Sequence, residues 1–178
     1  MSSPGISHRI LAISGSLRAR SVNTAVLHAT RALAPAGMSV EIFPGLGMVP
    51  PFNPDLDIDP VPAPVAAWRS AVGAANALLF CTPEYAHGVP GTLKNALDWL
   101  VSYEGFIAKR VAIINARPGG EHAQASLRET VRVMNAQILE AACVTLPLTS
   151  NAHDVASLLA QPAVRERLEH CLAVLAKA

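Results

Sequence analysis

The sequence predicts a three-layer α/β fold, a five-stranded parallel sheet with helices on both faces. Three observations carry that prediction. Short apolar runs alternate with helical patterns in the order βαβαβαβαβα, which requires parallel strands joined by right-handed crossovers. One of those runs, Ala77 to Thr82, is almost wholly apolar, as a strand covered on both faces must be. Hydrophobic residues make up 51% of the 178 positions while aromatics make up only 4%, and much of the apolar content is alanine, which favours close packing of helices on a sheet.

Each element follows in order. The first strand runs from Arg9 to Ser14, short and β-branched at Ile10 and Ile13. Its exit loop is Gly15-Ser16-Leu17-Arg18-Ala19-Arg20-Ser21-Val22-Asn23, and Asn23 to Leu33 reads as a helix turning Ala25, Leu27, Ala29 and Leu33 inward. Ser39 to Phe43 is the second strand. Pro44 to Pro64 then holds seven of the chain's 14 prolines. Proline removes backbone donors and fixes φ, so this segment is expected to be an extended surface excursion. A helix covers Pro64 to Ala75, and Ala77 to Thr82 is the third strand. Pro83 to Val89 forms a loop, after which Pro90 suits the first turn of a helix, where its missing donor costs nothing. Leu93, Ala96, Leu97, Leu100 and Val101 follow at helical spacing. Val111 to Asn115 is the fourth strand, Gly119-Gly120 opens a helix with Leu127, Val131, Met134 and Ile138 on one stripe, and Ala142 to Leu146 is the fifth strand. The last helix starts near Pro162 and reaches Leu175 through Leu168, Cys171 and Leu172. No internal repeat interrupts this order, so residues 1–178 read as one domain, in keeping with the ~100–200 residues a domain usually spans.

Composition excludes several functional classes. Disorder is incompatible with 51% hydrophobic against 15% charged residues. A net charge of +1 without a Lys/Arg patch speaks against nucleic acid as a partner. Cys81, Cys143 and Cys171 are odd in number and form no CxxC, which fits a reducing compartment and a cytoplasmic protein. The run from Ile10 to Ile13 is too short for a signal-peptide core, and no apolar stretch approaches the ~20 residues of a membrane helix, so no membrane association is expected. His28, His122, His153 and His170 form no HxxxH or His/Cys cluster, so no metal is expected. Lys94 and Asp98, four apart on one helix, read as a surface ion pair. Cys81 should be buried and inert. Neither Ser14 nor Ser16 stands on the GxSxG elbow of a serine hydrolase.

Chemistry in such a sheet belongs beyond the carboxyl ends of the strands, at the switch in strand order. The loop after the first strand leads into a helix N-terminus, whose free amides and dipole attract anions. Ser16, Ser21, Asn23 and Thr24 add short side-chain donors, and Arg18 adds a guanidinium suited to phosphate. The loop has neither a GxGxxG fingerprint nor the GK[ST] of a P-loop. Two readings stand: a cradle for one terminal phosphate, or a capped helix start with Ser21 or Asn23 as N-cap. In the loop after the third strand, two prolines and two glycines stiffen the backbone around Tyr85, in a chain poor in aromatics. That suits a flat heteroaromatic ligand with a polar edge, or equally a rigid turn with a tyrosine on its rim.

Gly-Ser-Leu-Arg-x-x-Ser-x-Asn at 15–23, and Pro-Glu-Tyr-x-x-x-x-Pro-Gly-x-Leu-Lys-Asn-Ala-Leu-Asp-Trp at 83–99, resemble the NADPH-dependent FMN reductases, a flavodoxin-like family that includes chromate, quinone and azo-dye reductases. The resemblance covers nearly the whole chain in strand and helix order. It implies an FMN site built from Ser16, Leu17, Arg18, Ser21, Val22 and Asn23, with Ser16, Arg18, Ser21 and Asn23 on the phosphate. It implies that Pro83, Glu84 and Tyr85 line the isoalloxazine, partly through backbone groups, with Ala86 as a backbone contributor only and His87 and Gly88 also among the cofactor-binding residues. The family has Asn after Pro-Glu-Tyr where this chain has Ala86, and His87 or a backbone amide is expected to take over the contact. The loop Asn115 to Gly120 keeps the family's Gly-Gly but lacks its serine, leaving Arg117 to meet the flavin's pyrimidine edge.

The function so implied is an FMN-dependent NAD(P)H oxidoreductase, in which hydride passes from nicotinamide to flavin and then to a small acceptor: quinone, azo dye, chromate or free flavin. NADPH, or NADH, is the co-substrate. The scheme requires no side-chain acid or base, so no catalytic residue is assigned. The alternatives are a flavodoxin-type electron carrier without NAD(P)H activity, against which the near-neutral charge counts, and a flavin-free binding module. The resemblance also implies a homodimer or homotetramer, with the helix from Pro90 to Val101, flanked by Trp99, and the proline-rich excursion as interface elements.

Overall fold

A computed structural model describes residues 8–177 of the chain. Residues 1–7 and 178, which the one-domain expectation includes, lie outside the described residues. Six strands form one parallel sheet: β1 (His8–Ser14), β2 (Met38–Ile42), β3 (Ala77–Cys81), β4 (Arg110–Asn115), β5 (Gln137–Ile138) and β6 (Val144–Thr145), in the order β2-β1-β3-β4-β5 with β6 also on β4. The helices are α1 (Val22–Ala32), α2 (Ala63–Ala74), α3 (Gly91–Asp98), α4 (Glu121–Val133), α5 (Val155–Leu159) and α6 (Pro162–Leu175). In register, Ser14 stands opposite Cys81 and Cys81 opposite Ile114, so β1, β3 and β4 end level along one edge.

Strand alternation divides the core. In β3, Ala77, Leu79 and Cys81 face Val26 and Leu27 of α1 together with Leu168 and Cys171 of α6. Leu78 and Phe80 face the opposite layer, made by Trp68 of α2, Leu97 of α3 and Leu127 of α4. Both faces of β3 are thus covered, as its apolar sequence requires.

The proline-rich segment is less detached than an extended surface excursion. It makes two short helical turns, Leu46–Met48 and Pro54–Leu56, and buries Leu46 and Val49. Donors missing from the prolines are irrelevant here because side chains of α3 and its exit use the carbonyls instead. Pro50 O accepts from Trp99 Nε1 at 2.8 Å and from Asn95 Nδ2 at 2.9 Å, while Phe52 N donates to Asn95 Oδ1 at 2.7 Å. Trp99 is therefore fully buried within the chain and offers nothing to a subunit interface. Val101 also leaves the predicted stripe, because α3 ends at Asp98 and Val101 is exposed.

The far edge differs from expectation in two places. The helical stripe through Met134 and Ile138 is broken, because α4 stops at Val133 and Asn135 takes a left-handed φ of 62°. Asparagine tolerates that conformation, and it turns the chain back so that Ile138 pairs with Val111 as part of β5. The fifth strand predicted at Ala142 to Leu146 shrinks to Val144–Thr145, since Ala142 closes a helical turn by donating to Leu139 O at 2.8 Å. Two short strands share the sheet position that one was expected to fill. The sequence reading also lacks α5, which Asp154 and Ser157 start with a reciprocal capping box. Among the described residues, no helix is long and apolar enough to cross a membrane.

Candidate functional site

Beyond the level ends of β1, β3 and β4 lies a cavity of about 440 Å³. Four segments build its wall, each leaving a strand at its carboxyl end.

The first follows β1. Gly15 N donates to Cys81 O at 3.0 Å, and a Cβ on Gly15 would stand 2.0 Å from Thr82 Oγ1, so only glycine lets this loop lie against the end of β3. Ser14 Oγ and Thr24 Oγ1, 2.8 Å apart, tie the strand end to the first turn of α1. Ser16 Oγ accepts from Arg18 N at 3.3 Å, folding the loop on itself. Ser21 is the N-cap, accepting from Thr24 N, which decides between the two cap candidates; α1 accordingly starts at Val22. Ser16, Arg18, Ser21, Val22 and Asn23 all line the cavity. Ser16, Ser21 and Asn23 are polar yet buried, and the amides of Val22 and Asn23 belong to the helix turn that has no intrahelical acceptor. Cys81 Sγ donates to Asn23 Oδ1 at 3.4 Å and so orients the carboxamide. Burial pushes the Cys81 thiol far up, which removes it as a nucleophile. Leu17 does not reach the cavity; its side chain is exposed and lies beside Gly47.

The second segment follows β3. Thr82, Pro83, Glu84 and Tyr85 line the cavity. Tyr85 and Gly88 then exchange hydrogen bonds of 3.1 and 3.0 Å around Ala86 and His87, which both sit at positive φ, 49° and 58°. This is the two-residue hairpin turn of type I′. It carries Ala86, His87 and Gly88, expected among the cofactor-binding residues, outside the set that lines the cavity. The His87 ring instead stacks on His122 of α4, centroids 4.2 Å apart. The Glu84 carboxylate also leaves the cavity's service, accepting from Ala123 N in the first turn of α4 at 2.8 Å.

The third segment follows β4 and contributes Asn115, Ala116, Arg117, Gly119 and Gly120. Gly119 and Gly120 have φ of 84° and 113°, conformations that call for glycine. Glu121 accepts from both of their amides, at 3.2 and 3.1 Å; its own backbone amide first, and these two bonds after it, hold its carboxyl below its ordinary value. The fourth contribution is Asn151, from the stretch after β6.

Nine of the thirteen predicted positions thus meet in one cavity. Sequence reasoning missed Thr82, Asn115, Ala116, Gly119, Gly120 and Asn151 as lining residues. Thr82 and Asn115 could have been found as the residues that end or follow strands three and four. Asn151 carries no such signal, since it depends on where the interrupted edge strand ends. The donor set fits a phosphorylated, planar cofactor: hydroxyls, helix amides and the Arg18 guanidinium at the β1 end, and Asn115, the Arg117 guanidinium and two glycines at the β4 end.

A parallel sheet in the order β2-β1-β3-β4-β5 with such a cavity at the β1/β3 switch defines the flavodoxin-like class of cofactor-binding proteins. Within that class, the chain belongs to the NADPH-dependent FMN reductase family, which matches residues 8–151. It is an oxidoreductase that works with FMN and NAD(P)H. It is 37% identical over 172 residues to an NAD(P)H-dependent FMN reductase of Pseudomonas aeruginosa, covering 94% of this chain and 92% of the relative. A quinone reductase of Escherichia coli is 31% identical over 137 residues, covering 74% of this chain and 73% of its own. Among solved structures, the flavoenzyme NAD(P)H:acceptor oxidoreductase FerB of Paracoccus denitrificans superposes with a TM-score of 0.74 over 96% of this chain and 98% of that one, at 22% identity. At that identity the likeness speaks for the fold.

Proposed function

We propose that the cavity holds FMN with its phosphate on Ser16, Arg18, Ser21 and Asn23 and its isoalloxazine against Pro83, Glu84 and Tyr85, in a chain that acts as one FMN-binding domain. Bound FMN supplies the centre that takes hydride from NAD(P)H and passes electrons on to a small acceptor, of which quinone is the class favoured by the named relatives. The observation that carries this reading is the first loop. Ser16, Ser21 and Asn23 are buried polar side chains on the cavity wall at the N-terminus of α1, and Arg18 joins them there. Together with the unpartnered first-turn amides, these are the features of a phosphate site.

The other residues have supporting tasks. Val22 closes the floor of the phosphate end. Glu84 offers the cofactor its backbone, because its carboxylate is held by α4. Ala86, His87 and Gly88 shape the turn that keeps Tyr85 at the rim, where it is half exposed and free to meet an incoming ring. The family assignment favours a reductase over an electron carrier. Three cysteines without a disulfide suit the cytoplasm. Leu17, beside Gly47, and Met48 are both exposed apolar side chains suited to a second copy, so a homodimer or homotetramer is the expected assembly.

Initial rates with NADPH and 1,4-benzoquinone test the reading. Parallel double-reciprocal lines, dependent on FMN loading, are expected because one site serves both substrates in turn. Absence of turnover by the FMN-loaded protein overturns it.

A further inference from the structure

We propose that Arg117 sets the redox preference of this site by placing a positive charge that is in no ion pair beside the reducible ring; the inference rests on the FMN reading above. Two arginines line the cavity, Arg18 from the loop after β1 and Arg117 from the loop after β4. The strands that carry them are separated by β3, two strand spacings or roughly 10 Å. Arg18 belongs to the phosphate end. Arg117 enters from the far side, among Asn115, Ala116, Gly119 and Gly120, where no phosphate is called for.

No carboxylate pairs with it directly. Among the described residues, the Arg117 guanidinium makes neither a hydrogen bond nor an ion pair, and the two carboxylates on adjoining segments keep their charge but bond backbone amides rather than the guanidinium. Glu84 accepts from Ala123 N and Glu121 accepts from Gly119 N and Gly120 N. The base of the side chain is held in place, since Ala116 is buried, Asn115 O accepts from Leu146 N at 2.8 Å, and Gly119 and Gly120 lock the exit.

Hydride brings two electrons and one proton, so the flavin ring gains one negative charge, spread over N1 and the C2 carbonyl of its pyrimidine. An unpaired cation at that side favours the reduced ring over the oxidised one by simple Coulomb attraction, strengthened as the bound ring displaces water. Sulfite reports the same property without turnover. Its lone pair forms a bond to flavin N5, and the displaced electron pair settles as negative charge on N1 and C2, so adduct stability follows the cation.

The test compares FMN-loaded wild type, Arg117→Gln and Arg117→Lys, by equilibration with a reference dye and by sulfite titration of the visible flavin band. Wild type is expected to form the adduct. Arg117→Gln is expected to lower the preference for the reduced form at least tenfold, about 30 mV for a two-electron couple, and to weaken sulfite binding by a similar factor. Arg117→Lys, which keeps the charge, is expected to stay within threefold of wild type in both. A wild type that resists sulfite, a glutamine variant with unchanged potential, or a lysine variant that behaves like glutamine overturns the proposal. If Arg117→Gln fails to retain FMN, the lysine variant decides: a wild-type potential supports the charge and a tenfold loss overturns it. Failure of the wild-type protein itself to take up FMN overturns the underlying reading, and is distinguished by the binding step that precedes both titrations.

Discussion

The carboxylate of Glu84, in the loop after β3, caps the amide of Ala123, in the first turn of α4, at 2.8 Å. The residue at the N-cap of α4 is Gly120, which has no side chain to do this. A distant glutamate therefore satisfies one of the helix's orphan donors, and its negative charge also suits the positive end of the helix dipole. The bond locks two segments of the cavity wall together across 39 residues of sequence.

Glu84→Ala should accordingly lower stability by about 1–2 kcal/mol, the usual worth of a helix cap, and weaken FMN binding. Glu84→Gln keeps an acceptor oxygen and should lose less. Urea denaturation and FMN titration of both variants check this; an alanine variant as stable as wild type contradicts the capping role.

Ala86 stands at a φ of 49° in the two-residue turn Tyr85 to Gly88. Left-handed backbone costs an ordinary side chain roughly 1–2 kcal/mol, and asparagine much less. Ala86→Asn should therefore raise stability, by about 0.5–1 kcal/mol of that cost. A fall in the denaturation midpoint would show that the turn is not strained at this position.

Asp57 anchors the proline-rich segment to α2. Its carboxylate meets Arg69 at 2.7 Å and accepts from the Ser102 hydroxyl, with both members of the ion pair about nine-tenths buried. The Ser102 hydrogen bond first, and Arg69 second, hold its carboxyl below the ordinary value of 3.8. A depressed folded pKa stabilises the fold fully above the ordinary value and ceases to do so as pH falls through 3.8 toward the lower folded value. Thermal midpoints measured from neutral to acid pH should show this loss, and Asp57→Asn should remove that component of the acid limb while lowering stability at neutral pH. An acid limb identical in both proteins contradicts the assignment.

Arg18→Ala should weaken FMN binding roughly 10- to 100-fold, the equivalent of the ~1.5–3 kcal/mol that a charge-assisted hydrogen bond contributes. Retention of FMN on gel filtration, with fluorescence titration, measures it. Unchanged affinity removes Arg18 from the phosphate.

What was legible in the sequence follows the physics of each segment. The central strands were clear because burial on both faces forces continuous apolar runs, as at Ala77 to Cys81. The edge was obscure because strands of two residues, such as Gln137–Ile138, have no periodicity to display, and Ile138 falls by chance on the stripe of α4. The first-loop residues of the cavity wall were legible because a strand, a glycine and a capped helix start must follow one another there. Leu17 falls outside the residues that line the cavity, its exposed side chain lying beside Gly47, a proximity no local pattern encodes. At Ala86 the departure from the family's asparagine was visible, but the backbone conformation that makes asparagine suitable was not. The positions of Asn151 and of the Glu84 carboxylate depend on tertiary closure alone.

The most direct test of the central claim is anaerobic mixing of the FMN-loaded protein with NADPH, followed in the visible flavin band. The band should bleach fully with one equivalent of NADPH and no other protein present. A band that persists, and fades only when a separate reductase is added, would make this chain an electron carrier and contradict the account.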